Sequence, residues 1–493
     1  MTQSLRPALL PLAATLLASF SLAQSPLTIG SIAVLRYGDG VAPLSNAAAA
    51  AFLEEWDPNG TFTTPVQPDI AAPTGAVGSN FACTGSGTAN SEGQLNVSTN
   101  GFYLTWGGYD AAPGTLVVAQ SANPPVARVI ARLDILTGLI DTTTAITDAY
   151  SASGGANGNI RGVVSDNGTR FWTTSPVFST TGGGVRYVAN LGDLTSTLIA
   201  AGNIRHIDIY HDNLYVTQAS GSVQGVAQVG ASGLPISTES ITLLNGFPTV
   251  ANSASNYDMF WADPQTVYVA DDAVNGAGGI QKWVNVAGTW TKVYTMALSA
   301  TSGCRGVTGH VVGGQAQLWA IANSGSTTQI VTATDTVANT VGPAPTVTSL
   351  RTAPTNTAFR GIAFIGKPST IQSVATSCGP ARLIGTGNGE QNTKVFFEMR
   401  NTTGFASLIA LDVTFSGIPL SFVFANCACT LGVSPAPVLL PNGPAFTLDL
   451  NPSWATLGLP IVAQGLDLFT PPGGPCPDLL DLTLTDTLTM TVQ

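Results

Sequence analysis

The run Arg205-His206-Ile207-Asp208-Ile209-Tyr210-His211-Asp212-Asn213-Leu214-Tyr215-Val216, continued by Val223 to Val229, decides the fold. It reads as an apolar strand, a tight polar turn, a second strand with an aromatic, and a third strand. The same unit recurs on either side. Arg161-Gly162-Val163-Val164 leads through Asp166-Asn167-Gly168 to Phe171-Trp172 and then Gly183 to Val188. Tyr257-Asp258-Met259-Phe260 leads to Val267-Tyr268-Val269 and then Gly278 to Trp283. Arg305-Gly306-Val307 leads to Leu318-Trp319-Ala320 and then Gln329-Ile330-Val331, while Glu92-Gly93 before Phe102-Tyr103-Leu104 fits more loosely.

The unit starts fall at 92, 161, 205, 257, 305 and 360, giving intervals of 69, 44, 52, 48 and 55 residues. A propeller blade of four strands takes about 40 to 50 residues. The sixth unit, Phe359 to Phe364, is a lone strand, and the segments Ile32 to Tyr37, Ala51 to Trp56 and Thr61 to Val66 lack a blade. Joining the two ends in one blade removes the free sheet edges. The sequence therefore predicts an all-β chain: a six-bladed β-propeller with a composite last blade. Seven blades is the alternative if residues 67 to 91 form more than a connection. Helical periodicity is nearly absent; Ser45 to Glu55 is the one helix-capable run, equally readable as a loop entering a strand.

Beyond residues 28–366, the predicted propeller, residues 367–377 read as a linker and 378–493 as a small C-terminal β-sandwich of short alternating strands with Pro and Gly turns. At the other end, Arg6, the apolar run Ala8 to Ala18 and Ser21-Leu22-Ala23 read as a signal peptide, residues 1–23, cleaved after Ala23. The mature protein is expected to be secreted or periplasmic, monomeric and without a membrane span.

Charged residues make up 9% of the chain, against about 25% in ordinary soluble proteins, and the net charge is -11. With 17 Lys and Arg and no basic runs, a nucleic-acid partner is not expected. The six cysteines of an exported chain favour disulfides. Cys427 and Cys429 alternate on one strand and do not suit each other, so the expected pairs are Cys378 with Cys429, Cys427 with Cys476, and Cys83 with Cys304.

Both parts also resemble known families. Tyr37-Gly38-Asp39-Gly40, Phe52-Leu53-Glu54-Glu55-Trp56, Thr88 to Gly93, Gly108 to Thr115, Tyr268 to Asp272 and Asn356 to Gly361 resemble an uncharacterised family of exported bacterial β-propellers. Cys429 to Pro435, Pro460 to Asp467 and Thr485 to Val492 resemble a small β-domain appended to many secreted proteins of environmental bacteria. The resemblance implies the fold and the Cys378–Cys429 pairing, and no activity.

Several residues are candidates for a site. Arg161, Arg205, Arg305 and Arg360 share one register, with Glu92 and Tyr257 filling the other two positions. First strands line a propeller's axis, so these six can form a ring suited to a carboxylate, sulfate or phosphate. Asp263, Asp271 and Asp272 are candidate calcium ligands. His206, Asp208, His211 and Asp212 hold metal-ligand types, but a strand ligand and a turn ligand five residues on stand roughly 17 Å apart if extended. Glu54 and Glu55 fall on opposite faces of a strand and read as a solvated edge. Trp172, Trp261, Trp283 and Trp319 read as packing between blades. No nucleophile elbow, zinc-protease motif or phosphate loop is present, and there are three histidines. The leading expectation is thus a secreted, non-catalytic binding or scaffold propeller taking a glycan, protein or small anion. The alternatives are a calcium-dependent, lactonase-like hydrolase and a structural component of an extracellular matrix.

Overall fold

The computed structural model describes residues 25–493 except 152–157, 177–181, 221–222, 250–253, 275–277, 300, 326, 405, 415–417, 420–429, 434–437, 441–443 and 470–480. The predicted signal peptide, residues 1–23, therefore lies outside the described residues. Six antiparallel four-stranded sheets form the first part. Blade 1 opens on Asn96–Val97, blade 2 on Val163–Ser165, blade 3 on Ile204–Tyr210, blade 4 on Asn256–Asp263 and blade 5 on Ser302–Val312. Blade 6 takes its inner strand, Ala358–Phe364, from the end of the propeller and its outer strands, Ile32–Tyr37, Ala51–Trp56 and Ile70–Ala71, from the beginning. Each inner strand packs against those of the two neighbouring blades, and blade 6 meets blade 1, so the ring closes. The chain is an all-β propeller with the composite last blade that the repeat spacing predicts.

Local pattern explains the blades. Inner and second strands are buried on both faces, hence continuous apolar runs such as Val267-Tyr268-Val269-Ala270, all fully buried. Outer strands such as Thr348–Thr352 are exposed and polar. Ala51–Trp56 is a strand rather than a helix because it pairs along its length with Ile32–Tyr37. The indoles expected between blades are there: Trp172, Trp261, Trp283 and Trp319 are all at least nine-tenths buried. Trp261 stacks on Tyr210 of blade 3 at 4.9 Å.

Two details decide where a site can lie. The axis is not an open channel, because Gln94 donates to the Arg305 carbonyl of blade 5 at 3.2 Å. Asn96 donates to the Val163 and Ile207 carbonyls of blades 2 and 3 at 2.8 and 3.1 Å. Blade 1 has a short inner strand, and its preceding segment fills the centre.

The second detail is the C-terminal sandwich, a five-stranded and a three-stranded sheet around a core that includes Leu383, Val395, Phe397, Ile409 and Ile461. It touches the turns leaving the inner strands of blades 1, 3 and 5: Ser369 to Asn100, Arg400 to His211 and Asp212, and Gly313 to Asn392. Three alternate blades stand a third of a turn apart, so the sandwich straddles the axis. Among the described residues nothing covers the opposite end of the propeller.

Candidate functional site

At that open end the six residues of the predicted ring meet. Each lies near the start of, or just ahead of, its blade's inner strand. Bulges aim them. In blade 4 Asn256 faces Asp271 and Asp258 faces Ala270, leaving Tyr257 extra. In blade 5 Arg305 is extra between Cys304 and Gly306, and register breaks also fall at Arg205-His206 and Arg360-Gly361. In blade 2 the Arg161 amide donates to Thr174, whose own amide donates to Gly162, so two residues again face one. A bulge re-aims a side chain away from regular alternation and is common beside binding sites. Here it recurs at the same place in five blades.

The guanidiniums are held at their edges. Arg161 donates to Asn203 Oδ1 and the Ile204 carbonyl at 2.7 and 2.6 Å. Arg360 donates to the Gly87 carbonyl at 2.8 Å, and Arg305 pairs with Asp272 at 2.9 Å. Arg205 and Arg305 both lie over the ring of Tyr257, at 4.9 and 5.6 Å. The Nε atoms of all four arginines are buried without a hydrogen-bond partner among the described residues. Arg305 and Arg360 line one cavity of ≈ 450 Å³, with Leu44, Thr88, Asn90 and Thr328.

Charge at this mouth is poorly balanced. Burial, with Arg205 adjacent, pulls the Arg161 guanidinium down to about 9, and burial lowers Arg360 as well. Glu92 sits behind the ring, 1% exposed, taking the Tyr109 hydroxyl at 2.5 Å and the Ser86 amide at 3.0 Å. Burial pushes its carboxyl up to about 7, against those hydrogen bonds and the pull of Arg360 and Arg128. Near neutral pH Glu92 is therefore only partly ionised, and Asp272 is the one carboxylate paired with a ring arginine among the described residues.

The other candidates are dispersed. Asp263 lies at one end of the blade 4 hairpin, and Asp271 at the other. Asp271 is occupied by the Ser255 and Ala273 amides and Gln281, and Asp272 by Arg305. Asp263, Asp271 and Asp272 thus do not form a calcium cradle. Among the described residues no cluster of three or more His, Cys, Asp or Glu could hold a metal. His206 is buried and donates to Asp258 at 2.8 Å, while His211 and Asp212 form the turn beyond, facing the sandwich. Asp208, beside His206 and Asp258, is pushed up to about 7 by burial.

Two expectations need correction. Glu54 and Glu55 are not a solvated edge: they are 4% and 1% exposed. Glu54 takes Arg36 at 2.5 Å and Trp56 Nε1 at 3.1 Å; Glu55 takes the Thr28 amide at 2.6 Å. Cys83 and Cys304 are free buried thiols, separated because they sit in different parts of the ring, one against Gly108 of blade 1 and the other in blade 5. The remaining pairings involve Cys427, Cys429 and Cys476, which lie outside the described residues. Sequence reasoning also missed Tyr37, Tyr109 and Arg128 around Glu92; no local signal joins residues brought together only by blade closure.

No family model matches the chain, and no curated protein does. Solved structures similar in fold include a "putative 6-phosphogluconolactonase" from Bacteroides uniformis, at 12% identity and TM-score 0.35, covering 76% of this chain and 93% of that one. Another "putative 6-phosphogluconolactonase", from Bacteroides fragilis, shows 10% identity and TM-score 0.36 over 85% and 98%. The polysaccharide lyase Uly1 shows 11% and 0.32 over 92% and 98%. These neighbours carry enzyme names, against the leading expectation of a non-catalytic binding or scaffold protein. At such identities the likeness concerns the fold, and any reaction has to be argued from the side chains. Among the described residues no helix is long and apolar enough to cross a membrane.

Proposed function

We propose that the chain is a hydrolase of lactone or ester type, acting at the open mouth on a substrate with an anionic group. One observation supports this most: Arg305 and Arg360 line a single cavity with their Nε atoms buried and unpaired. A buried donor without a partner costs about 1–3 kcal/mol, more when charged, and an anion in the cavity would offset that cost through the charge of the guanidiniums rather than by contact with the enclosed Nε atoms. Guanidiniums hold carboxylate and phosphate in two-point geometry and stabilise an oxyanion as it forms. Glu92, with its carboxyl near 7, lies behind Arg360 and does not line this cavity, so its part at neutral pH is to adjust the charge beside that guanidinium. Calcium has no part in this reading, since Asp271 and Asp272 are already engaged.

The test is hydrolysis of matched lactones: phosphorylated, carboxylated and neutral. Expected is turnover favouring the anionic forms, with KM raised about 10- to 100-fold in Arg305→Ala. Binding of the anionic compounds without any turnover would overturn the enzymatic reading. We also propose membership of the exported-propeller family, export with cleavage after Ala23, and the division at residues 366 and 378. The Cys378–Cys429 and Cys427–Cys476 bonds and a monomeric state belong to the same proposal.

A further inference from the structure

We propose that the cleft between the propeller and the C-terminal sandwich binds an extended segment of another polypeptide, which adds as a strand to the edge of Arg382–Thr386. The cleft holds ≈ 810 Å³ and lies at the covered end, away from the arginine mouth. Its sandwich wall includes every residue from 379 to 387. Successive side chains of a strand point to opposite faces, so a cavity facing one face would meet alternate residues. Meeting all of them, this one meets the strand edge-on. Arg382–Thr386 is the outer member of its three-stranded sheet, and among the described residues no strand pairs with its free side.

Size and charge fit an added strand. Five extended residues, about 17 Å long, about 5 Å wide and about 10 Å tall with their side chains, need roughly 800 Å³. On the propeller wall, Asp166 pairs with Arg170 through Oδ2 at 2.6 Å and leaves a buried Oδ1 without a partner, while Asp212 lies 4.0 Å from Arg400, a guanidinium that Glu398 already holds at 2.9 Å. On the opposite wall Arg382 is exposed, and its side chain makes no hydrogen bond or ion pair among the described residues. Arg400 thus serves two carboxylates, and a segment with a Lys or Arg toward Asp212 and a carboxylate toward Arg382 would complement both walls.

The turn that presents Asp212 is built at a cost. His211 and Asp212 both take left-handed φ values, 50° and 53°, in a two-residue hairpin where Asn-Gly would fit with less strain. Arg400 of the sandwich fixes them through the His211 and Asp212 carbonyls. Strain maintained by a neighbouring domain is a mark of a functional constraint. Backbone hydrogen bonds would supply affinity, and the charged walls selectivity.

Amide hydrogen exchange of the full chain tests this, with a pooled library of decapeptides alternating Thr and variable residues around one Lys. Expected is at least tenfold slower exchange across residues 382–387. The same library N-methylated at alternate residues should give no slowing, because it cannot donate to the edge. Asp212→Asn, which tolerates the left-handed turn, should weaken the protection at least fivefold. Absence of slowing, equal slowing by the N-methylated library, or protection by cellohexaose in place of peptide would each overturn the proposal.

Discussion

Lys282 and the arginines of the mouth are both buried cations, and the molecule treats them in opposite ways. Lys282 is 0% exposed between blades 4 and 5, with Nζ 2.8 Å from Asp335 and 2.8 Å from the Thr336 carbonyl. Asp335 also takes the hydroxyls of Tyr268 and Tyr294, at 2.5 and 2.6 Å. Every partner is present, and the net charge of the pair is zero. Arg128 is treated alike, with its guanidinium donating to the Gly158, Val126 and Ser121 carbonyls. Lys282 is thus neutralised and Arg128 saturated with acceptors. At the mouth, among the described residues, four guanidiniums share one paired carboxylate; their four Nε atoms are unmatched, as are those of Arg132 and Arg351 elsewhere. In a chain with only 17 basic residues, that is an arrangement with room for a ligand's charge.

Breaking the architectural pair should have the largest effect. Asp335→Ala strands Lys282 and should cost about 3–5 kcal/mol, whereas replacing both by Met and Leu should recover most of it. Urea unfolding of the three proteins measures this. A loss under 1 kcal/mol in the single variant would erase the contrast with the mouth.

Next in size is a pH effect. Glu92 in the folded protein holds its proton up to about 7, well above an ordinary carboxyl. The folded state thus binds more protons than the unfolded one between those values, and stability must fall as pH rises from about 4.5 to about 7. The change is on the order of 3 kcal/mol at most, and Asp208, also near 7, adds in the same direction. Glu92→Gln should flatten its share of the slope in chemical unfolding across pH 4 to 8. An unchanged slope would mean that burial does not perturb Glu92.

Arg360→Met tests the mouth itself. It keeps the apolar stem but removes one unmatched cation, so unfolding should change by less than about 1 kcal/mol. Affinity for inorganic phosphate, measured by calorimetry, should drop about tenfold or more. A large stability loss with intact phosphate affinity would place Arg360 beside Lys282 as architecture.

How much of this was legible in the sequence follows from what each feature depends on. The blades were, because a strand-turn-strand repeat is local, and Arg161, Arg205, Tyr257, Arg305 and Arg360 recur in one register. The composite blade followed from a lone strand at 359–364 and spare strands near residue 32. The plug was not, since Gln94 and Asn96 act on carbonyls 211, 67 and 111 residues away. Glu54 was misread for the same reason: its partner Arg36 lies 18 residues off and faces it only after Ile32–Tyr37 pairs with Ala51–Trp56. Alternation alone cannot tell a solvated carboxylate from one neutralised across strands. The Cys83–Cys304 pairing failed because even counts carry no distances, and the aspartates because proximity in sequence spans a whole hairpin.

The smallest expected effect concerns how the ring is held. Tyr257 is the one aromatic of the six ring positions, and two guanidiniums from flanking blades lie over it. A cation–π contact contributes about 0.5–1 kcal/mol when partly exposed and about 2 when desolvated. Tyr257→Leu keeps an apolar side chain there but removes the electron-rich face, so it should cost about 1 kcal/mol in unfolding. Its effect on phosphate affinity separates two roles. If the ring serves only to pack Arg205 and Arg305, phosphate affinity should stay as in the unaltered protein. If it pre-orients both guanidiniums toward the cavity, affinity should fall about three- to tenfold, with Phe in place of Leu restoring it, because the hydroxyl takes no part in the stacking. The second outcome is the one expected, since the bulge at Tyr257 aims its ring to where both Arg205 and Arg305 lie over it.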